Sequence, residues 1–93
     1  MATARRVSFV VRGRVQGVAF RAAARRAALE MRVVGWVRNT DDGAVEGECE
    51  GAPADVERFV AWCRVGPSTA RVTDVSVVEL PPRAEETSFE IVE

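Results

Sequence analysis

The sequence predicts an α+β sandwich with element order β-α-β-β-α-β, in which an antiparallel sheet carries two helices on one face. Two stretches with apolar residues at helical spacing stand between stretches of period-two alternation, and Gly, Pro and Asp clusters separate them. A length of 93 residues, 47% of them apolar, suits a single domain over residues 1–93 with one core.

Each element has its own signal. Strand 1, about 5–12, places Val7, Phe9 and Val11 on one face. Gly13 to Gly17 form a loop, and helix 1 follows with Phe20, Ala24, Ala27, Ala28 and Met31 on its buried side and Arg25 and Arg26 opposite. It stops near Arg32, because Val33, Val34, Trp36 and Val37 suit a strand, about 34–39. Asp41-Asp42-Gly43 turns the chain into strand 3, about 43–50, where Val45, Gly47 and Cys49 alternate with Glu46, Glu48 and Glu50 on a wet face. Pro53 starts helix 2, whose stripe is Val56, Phe59, Val60 and Cys63, and Gly66-Pro67-Ser68 ends it. Val72, Val75 and Val77 mark strand 4 through Leu80, Pro81-Pro82 breaks the chain, and Ser88 to Val92 can add a short final strand. This order is the split βαβ, ferredoxin-like arrangement.

Composition removes many chemistries. The chain has no His, Lys or Tyr, which excludes a histidine-activated nucleophile, a Schiff-base or P-loop lysine and imidazole-bound metal. Neither Cys49 nor Cys63 begins a Cys-x5-Arg phosphate loop, since Asp55 and Thr69 stand at the arginine positions, and there is no CxxC. Both cysteines read as core fillers, with a disulfide between them left open. The apolar run Val7 to Val11 is too short for a signal peptide or membrane span, so the expected location is cytoplasmic.

The net charge of −1 hides a division: residues 1–40 carry nine arginines against Glu30, and residues 41–93 carry four against thirteen acids. Arg5, Arg6, Arg25 and Arg26 fall where a strand edge or helix faces water. The basic half contains Gly13-Arg14-Val15-Gln16-Gly17-Val18-Ala19-Phe20-Arg21, which leads from a strand into a helix. Loop N–H groups converge there, the helix dipole adds partial positive charge, and Arg21 supplies a planar fork for oxygen anions. Such a loop is an anion cradle. A cation at the positive end of a helix is otherwise unfavourable, which favours an anion beside Arg21 over a surface ion pair.

Val11 to Arg21, VRGRVQGVAFR, resembles the first signature of acylphosphatases, and Gly35 to Gly51, GWVRNTDDGAVEGECEG, resembles the second. The two matches occur in order and cover most of the chain. The resemblance implies hydrolysis of the carboxyl–phosphate bond of a small acyl phosphate. By similarity, the backbone N–H groups of Val15, Gln16, Gly17, Val18, Ala19 and Phe20 and the guanidinium of Arg21 bind the phosphate, while Asn39 orients the attacking water. It also implies no metal, no cofactor and no covalent intermediate, and a monomer whose loop can bind inorganic phosphate or sulfate. The inventory of residues agrees, because a carboxylate leaving group with pKa about 4 needs no general acid, and a loose transition state needs positioning more than bond-making.

Several residues carry two readings. Gln16 either contacts phosphate or holds the loop, and holding is favoured; Gly17 lets the backbone approach the phosphate. By residue type alone Asn39 is a turn former, and Thr40 either tunes it or caps the hairpin. Trp36 and Trp62 read as packing. Arg32 stands where a helix-ending glycine is common, and Ala22-Ala23-Ala24 replace larger or hydroxyl-bearing residues and so widen the site or loosen its support.

Other functions share this fold. An RNA-recognition domain stacks bases on strand 3, but Glu46, Glu48 and Glu50 repel a polyanion, so nucleic acid is not an expected partner. A small-ligand sensor, or a silent accessory domain of a carbamoyl-transfer protein, is the better competitor to a free-standing hydrolase.

Overall fold

In the computed structural model, which describes residues 3–93, the chain runs β1 (Arg5–Arg14), α1 (Phe20–Met31), β2 (Val34–Asn39), β3 (Val45–Gly51), α2 (Pro53–Val65), β4 (Arg71–Leu80) and β5 (Phe89–Ile91). Residues 1 and 2 of the expected 1–93 domain lie outside the described residues. The strands form one sheet in the order β4-β1-β3-β2-β5. β1 and β2 each pair antiparallel with β3 between them, so they run in the same direction and end at the same edge of the sandwich. That relationship brings the loop after β1 next to the last residue of β2.

The helices cover one face, α1 over β2 and β5 and α2 over β1, β3 and β4. Val7, Phe9 and Val11 of β1, Val37 of β2 and Val45 and Cys49 of β3 point into this layer and are buried. They meet Phe20, Ala24, Ala27 and Ala28 from α1 and Val56, Phe59 and Cys63 from α2. Met31 and Val60, expected in the same stripes, are half-buried. Phe59 is central: it makes an edge contact with Phe9 at 5.7 Å, stacks on Trp62 at 6.1 Å and meets Phe89 at 5.4 Å. Cys49 and Cys63 are free thiols, and burial pushes the Cys49 thiol up to about 12 and Cys63 higher still.

A bulge explains the uneven spacing of Val72, Val75 and Val77. Arg12 pairs with Asp74 and Gly13 with Val72, so Thr73 is the extra residue on β4 and the strand resets its faces there. Gly13 has φ 125°, and a Cβ on it would stand 2.2 Å from the Arg71 carbonyl oxygen.

Two expectations are corrected. The sheet is mixed rather than wholly antiparallel, since β5 pairs parallel with β2, Gly35 opposite Phe89 and Val37 opposite Ile91. The chain leaves β4 at the end where β2 begins and crosses to the far edge, so the next strand must run as β2 does. That crossing also reverses the expectation that Arg6 and Glu50 face water. Arg6 is 1% exposed and Glu50 5%. Arg6 donates to Glu48 at 2.8 Å, to Glu50 at 3.0 Å and to Glu86 at 2.6 Å. The backbone N–H groups of Arg83 and Ala84 donate to the Glu50 carboxylate at 2.8 and 3.0 Å. The segment between β4 and β5 is thus strapped over one end of the open face by a charged group with every partner satisfied. Burial opposes ionisation of Glu50, but these N–H donors and the Arg6 guanidinium outweigh it and hold the carboxyl below its usual range.

Candidate active site

The loop between β1 and α1 is built from alternating backbone hands. Gly17 has φ 73° and Ala19, the residue before the first turn of α1, has φ 61° and ψ 29°. Left-handed residues set among ordinary ones turn successive N–H groups to one side, the geometry of an anion nest. Among the described residues, no N–H from Gln16 to Ala22 donates to a backbone carbonyl. Ala19 adopts this conformation without being glycine, at a cost of about 1–2 kcal/mol that the surrounding contacts must offset. At Gly17 a Cβ would meet nothing within 4 Å, so the requirement for glycine there comes from backbone conformation and from the open space in front of the loop.

Three contacts fix the loop. Gln16 Nε2 donates to the carbonyls of Thr40 and Ala44, 2.8 Å each. Thr69, in the turn after α2, donates its hydroxyl to the Val18 carbonyl at 2.7 Å. Phe20 is buried and packs on Trp62 at 5.4 Å, anchoring the first turn of α1. The side chain of Gln16 therefore holds the loop, and Val18 packs against the core. Trp62 packs, while Trp36 lies opposite Glu48 and lines neither the loop nor its cleft.

Asn39 arrives from β2 by strand periodicity. Gly35, Val37 and Asn39 alternate onto the helix side, and Val37 is completely buried, so Asn39 stands at the end of the same face. Behind it Thr40 closes the hairpin: its N–H donates to Ala44 O at 2.9 Å, and its hydroxyl accepts from Ala44 N at 2.9 Å and donates to Asp42. The Thr40 hydroxyl, followed by Arg12 at 3.2 Å, holds the Asp42 carboxyl below its usual range. Thr40 thus acts as the hairpin cap.

Arg21 and Asn39 line one cleft of about 210 Å³ together with Val15, Gly17, Ala19, Phe20, Ala22 and Ile91. Arg21 and Asn39 are half-buried, and among the described residues neither side chain hydrogen-bonds to a protein group. α1 has no acid in its first turn to neutralise its positive end. The cleft therefore offers a guanidinium, a fan of N–H groups and an amide with no competing partner among the described residues, with room for a tetrahedral oxyanion. Of the loop residues singled out from sequence, Gln16 and Val18 stand behind the cleft rather than on its lining. Thr69 and Ile91 complete the surroundings without any motif to announce them; the only signal was the short strand assigned to 88–92.

Comparison with known proteins places the chain among its relatives. The acylphosphatase family profile matches residues 7–91. An acylphosphatase of Gloeobacter violaceus is 55% identical over 82 residues, 87% of this chain and 88% of that one, and one from Methylococcus capsulatus is 48% identical over 87 residues, 94% and 95% of the two chains. The crystal structure of acylphosphatase from Bacillus subtilis superposes with a TM-score of 0.91 at 37% identity, covering 96% of this chain and 99% of that one. The chain belongs to the acylphosphatase family.

Proposed function

We propose that the cleft hydrolyses an acyl phosphate by direct attack of water on phosphorus. The loop N–H groups from Val15 to Phe20 and the Arg21 guanidinium hold the phosphate oxygens, and the Asn39 amide holds the water. The water oxygen forms a bond to phosphorus as the bond to the acyl oxygen breaks. The electron pair leaves on the carboxylate, and the water protons end on the released phosphate. The charge spread over the equatorial oxygens lies where the N–H groups and Arg21 already point, so the site needs no reorganisation as the reaction proceeds. No side chain has to donate a proton, because the departing carboxylate is a weak base.

The observation that carries this reading is the meeting of Arg21 and Asn39 in one small cleft, each side chain without a hydrogen-bond partner among the described residues. Inorganic phosphate and sulfate, which share the tetrahedral oxyanion, compete for the same loop. The reaction requires no metal, and the chain acts as a cytoplasmic monomer with residues 1–93 forming one domain. Among the described residues no helix is long and apolar enough to cross a membrane. The test is turnover of acetyl or benzoyl phosphate by the purified protein with and without a chelator. Hydrolysis that persists with the chelator and is inhibited by inorganic phosphate is expected; folded protein without turnover would overturn the assignment in favour of a binding module.

A further inference from the structure

Beside the catalytic cleft lies a larger groove of about 690 Å³ between α1 and β5. Ala22 and Ile91 line both, so the two adjoin at that point. Arg25, Arg26, Leu29 and Arg32 line the groove along the helix, and no carboxylate lines it. Among the described residues none of these three arginines has a carboxylate within 4.0 Å, whereas Arg5, Arg6, Arg12, Arg38, Arg58 and Arg83 are all ion-paired. Arg25 is also oriented: its Nε donates to the Phe89 carbonyl at 3.2 Å, which anchors the guanidinium to β5 and leaves its terminal nitrogens for another acceptor.

We propose that this groove is the acyl subsite, and that Arg25 and Arg26 bind a second carboxylate at the far end of the acyl group, so that the enzyme prefers dicarboxylic acyl phosphates such as succinyl phosphate. This rests on the hydrolytic reading of the cleft. With the phosphate on Arg21 and the loop, the acyl carbon leaves the cleft past Ala22, whose small side chain keeps the passage open. Arg25 and Arg26 follow Ala22 by one helical turn, about 4.5–6 Å along the axis. The two carboxyl carbons of a succinyl group are joined by three bonds of about 1.5 Å each, which matches that step once the reach of an arginine side chain is added. Acetyl is too short to arrive. Butanoyl reaches as far but brings no charge. A planar guanidinium pairs with a carboxylate through two parallel bonds, so the arginines discriminate by charge and shape together.

The experiment compares kcat/KM for acetyl, butanoyl and succinyl phosphate in the wild type, Arg25→Gln, Arg26→Gln and the double variant. The wild type is expected to favour succinyl over butanoyl phosphate by about tenfold, the effect of one charge-assisted hydrogen bond. The double variant abolishes that preference and leaves acetyl phosphate turnover unchanged. Ala22→Leu, which narrows the passage, lowers succinyl and butanoyl turnover more than acetyl. Equal use of succinyl and butanoyl phosphate by the wild type, or a preference that survives the double substitution, overturns the subsite while acetyl turnover still upholds the catalytic reading. Absence of turnover on all three overturns the catalytic reading itself. Because Arg25 also bonds to β5, Arg26→Gln provides the check that a loss is local: the succinyl preference falls with acetyl turnover intact, and an equal loss on all substrates counts against the subsite.

Discussion

Gln16 Nε2 donates at 2.8 Å to the Thr40 carbonyl, and equally to that of Ala44, so one side chain ties the β1–α1 loop to the hairpin that follows Asn39. The two parts of the cleft, one proposed to hold the phosphate and the other the water, are coupled through this amide. In Gln16→Leu the carbonyls of Thr40 and Ala44 each lose one donor, while Gly43 N–H and Thr40 N–H still reach them, and stability is expected to fall by about 1 kcal/mol. The loop N–H groups also lose their alignment. Urea denaturation measures the first effect, and a weaker inhibition by inorganic phosphate measures the second. An unchanged inhibition constant would show that the loop holds its shape without the clamp.

Arg21→Lys preserves charge but replaces a planar fork with a point charge. No protein group bonds the Arg21 side chain among the described residues, so the fold is expected to be unaffected. kcat/KM should drop by about 10²–10³-fold, the usual effect of removing one aligned transition-state donor. Steady-state kinetics beside a thermal melt separates the two effects.

Asn39→Ala removes the amide and leaves the loop and Arg21 in place. Turnover is expected to collapse while inorganic phosphate still binds as in the wild type, measured by calorimetry. Loss of phosphate binding in this variant would move Asn39 from water to phosphate.

Arg32 ends α1 in the left-handed region, with φ 60° and ψ 37°, and its successor Val33 donates to Ala28 O at 3.0 Å. A side chain pays a steric penalty in this conformation that glycine does not. Arg32→Gly should therefore stabilise the protein by about 1 kcal/mol, read as a rise in the denaturation midpoint.

Glu50 links stability to pH. Its carboxyl in the folded protein titrates below the ordinary value of 4.5. Its contribution is thus complete above about pH 4.5 and disappears as the pH falls through the lower folded value. Glu50→Gln should cost about 1–3 kcal/mol near neutrality, with the gap to the wild type closing below pH 4.5. Denaturation midpoints measured from pH 3 to pH 7 test this; a gap independent of pH would assign the effect to packing alone.

The elements were legible because their signals are local. The stripe from Phe20 to Ala28, the alternation from Val45 to Cys49 and the glycine of the first loop each depend on neighbours within one or two turns of chain. The loop between β1 and α1 was legible for the same reason, since its glycines and the arginine that follows are contiguous. Val37 even indicates where Asn39 points, because residues two apart on a strand share a face. Arg6 and Glu50 were not legible. An arginine and a glutamate in alternation with apolar residues look solvated until the distant segment carrying Arg83, Ala84 and Glu86 is laid over them. Thr69 and Ile91 reach the site by equally long routes.

By itself, the sequence determined the glycine loop, the helix that begins at Phe20 and carries Arg21 in its first turn, and the strand that ends on Asn39, because backbone conformation and face alternation are set over a few residues. Only the tertiary structure decided that these two ends meet. β1 and β2 run parallel on either side of β3, β5 joins the far edge to bring Ile91 to the cleft, and the groove with Arg25 and Arg26 opens beside it. Such contacts depend on strand order and direction, which packing of the whole chain selects.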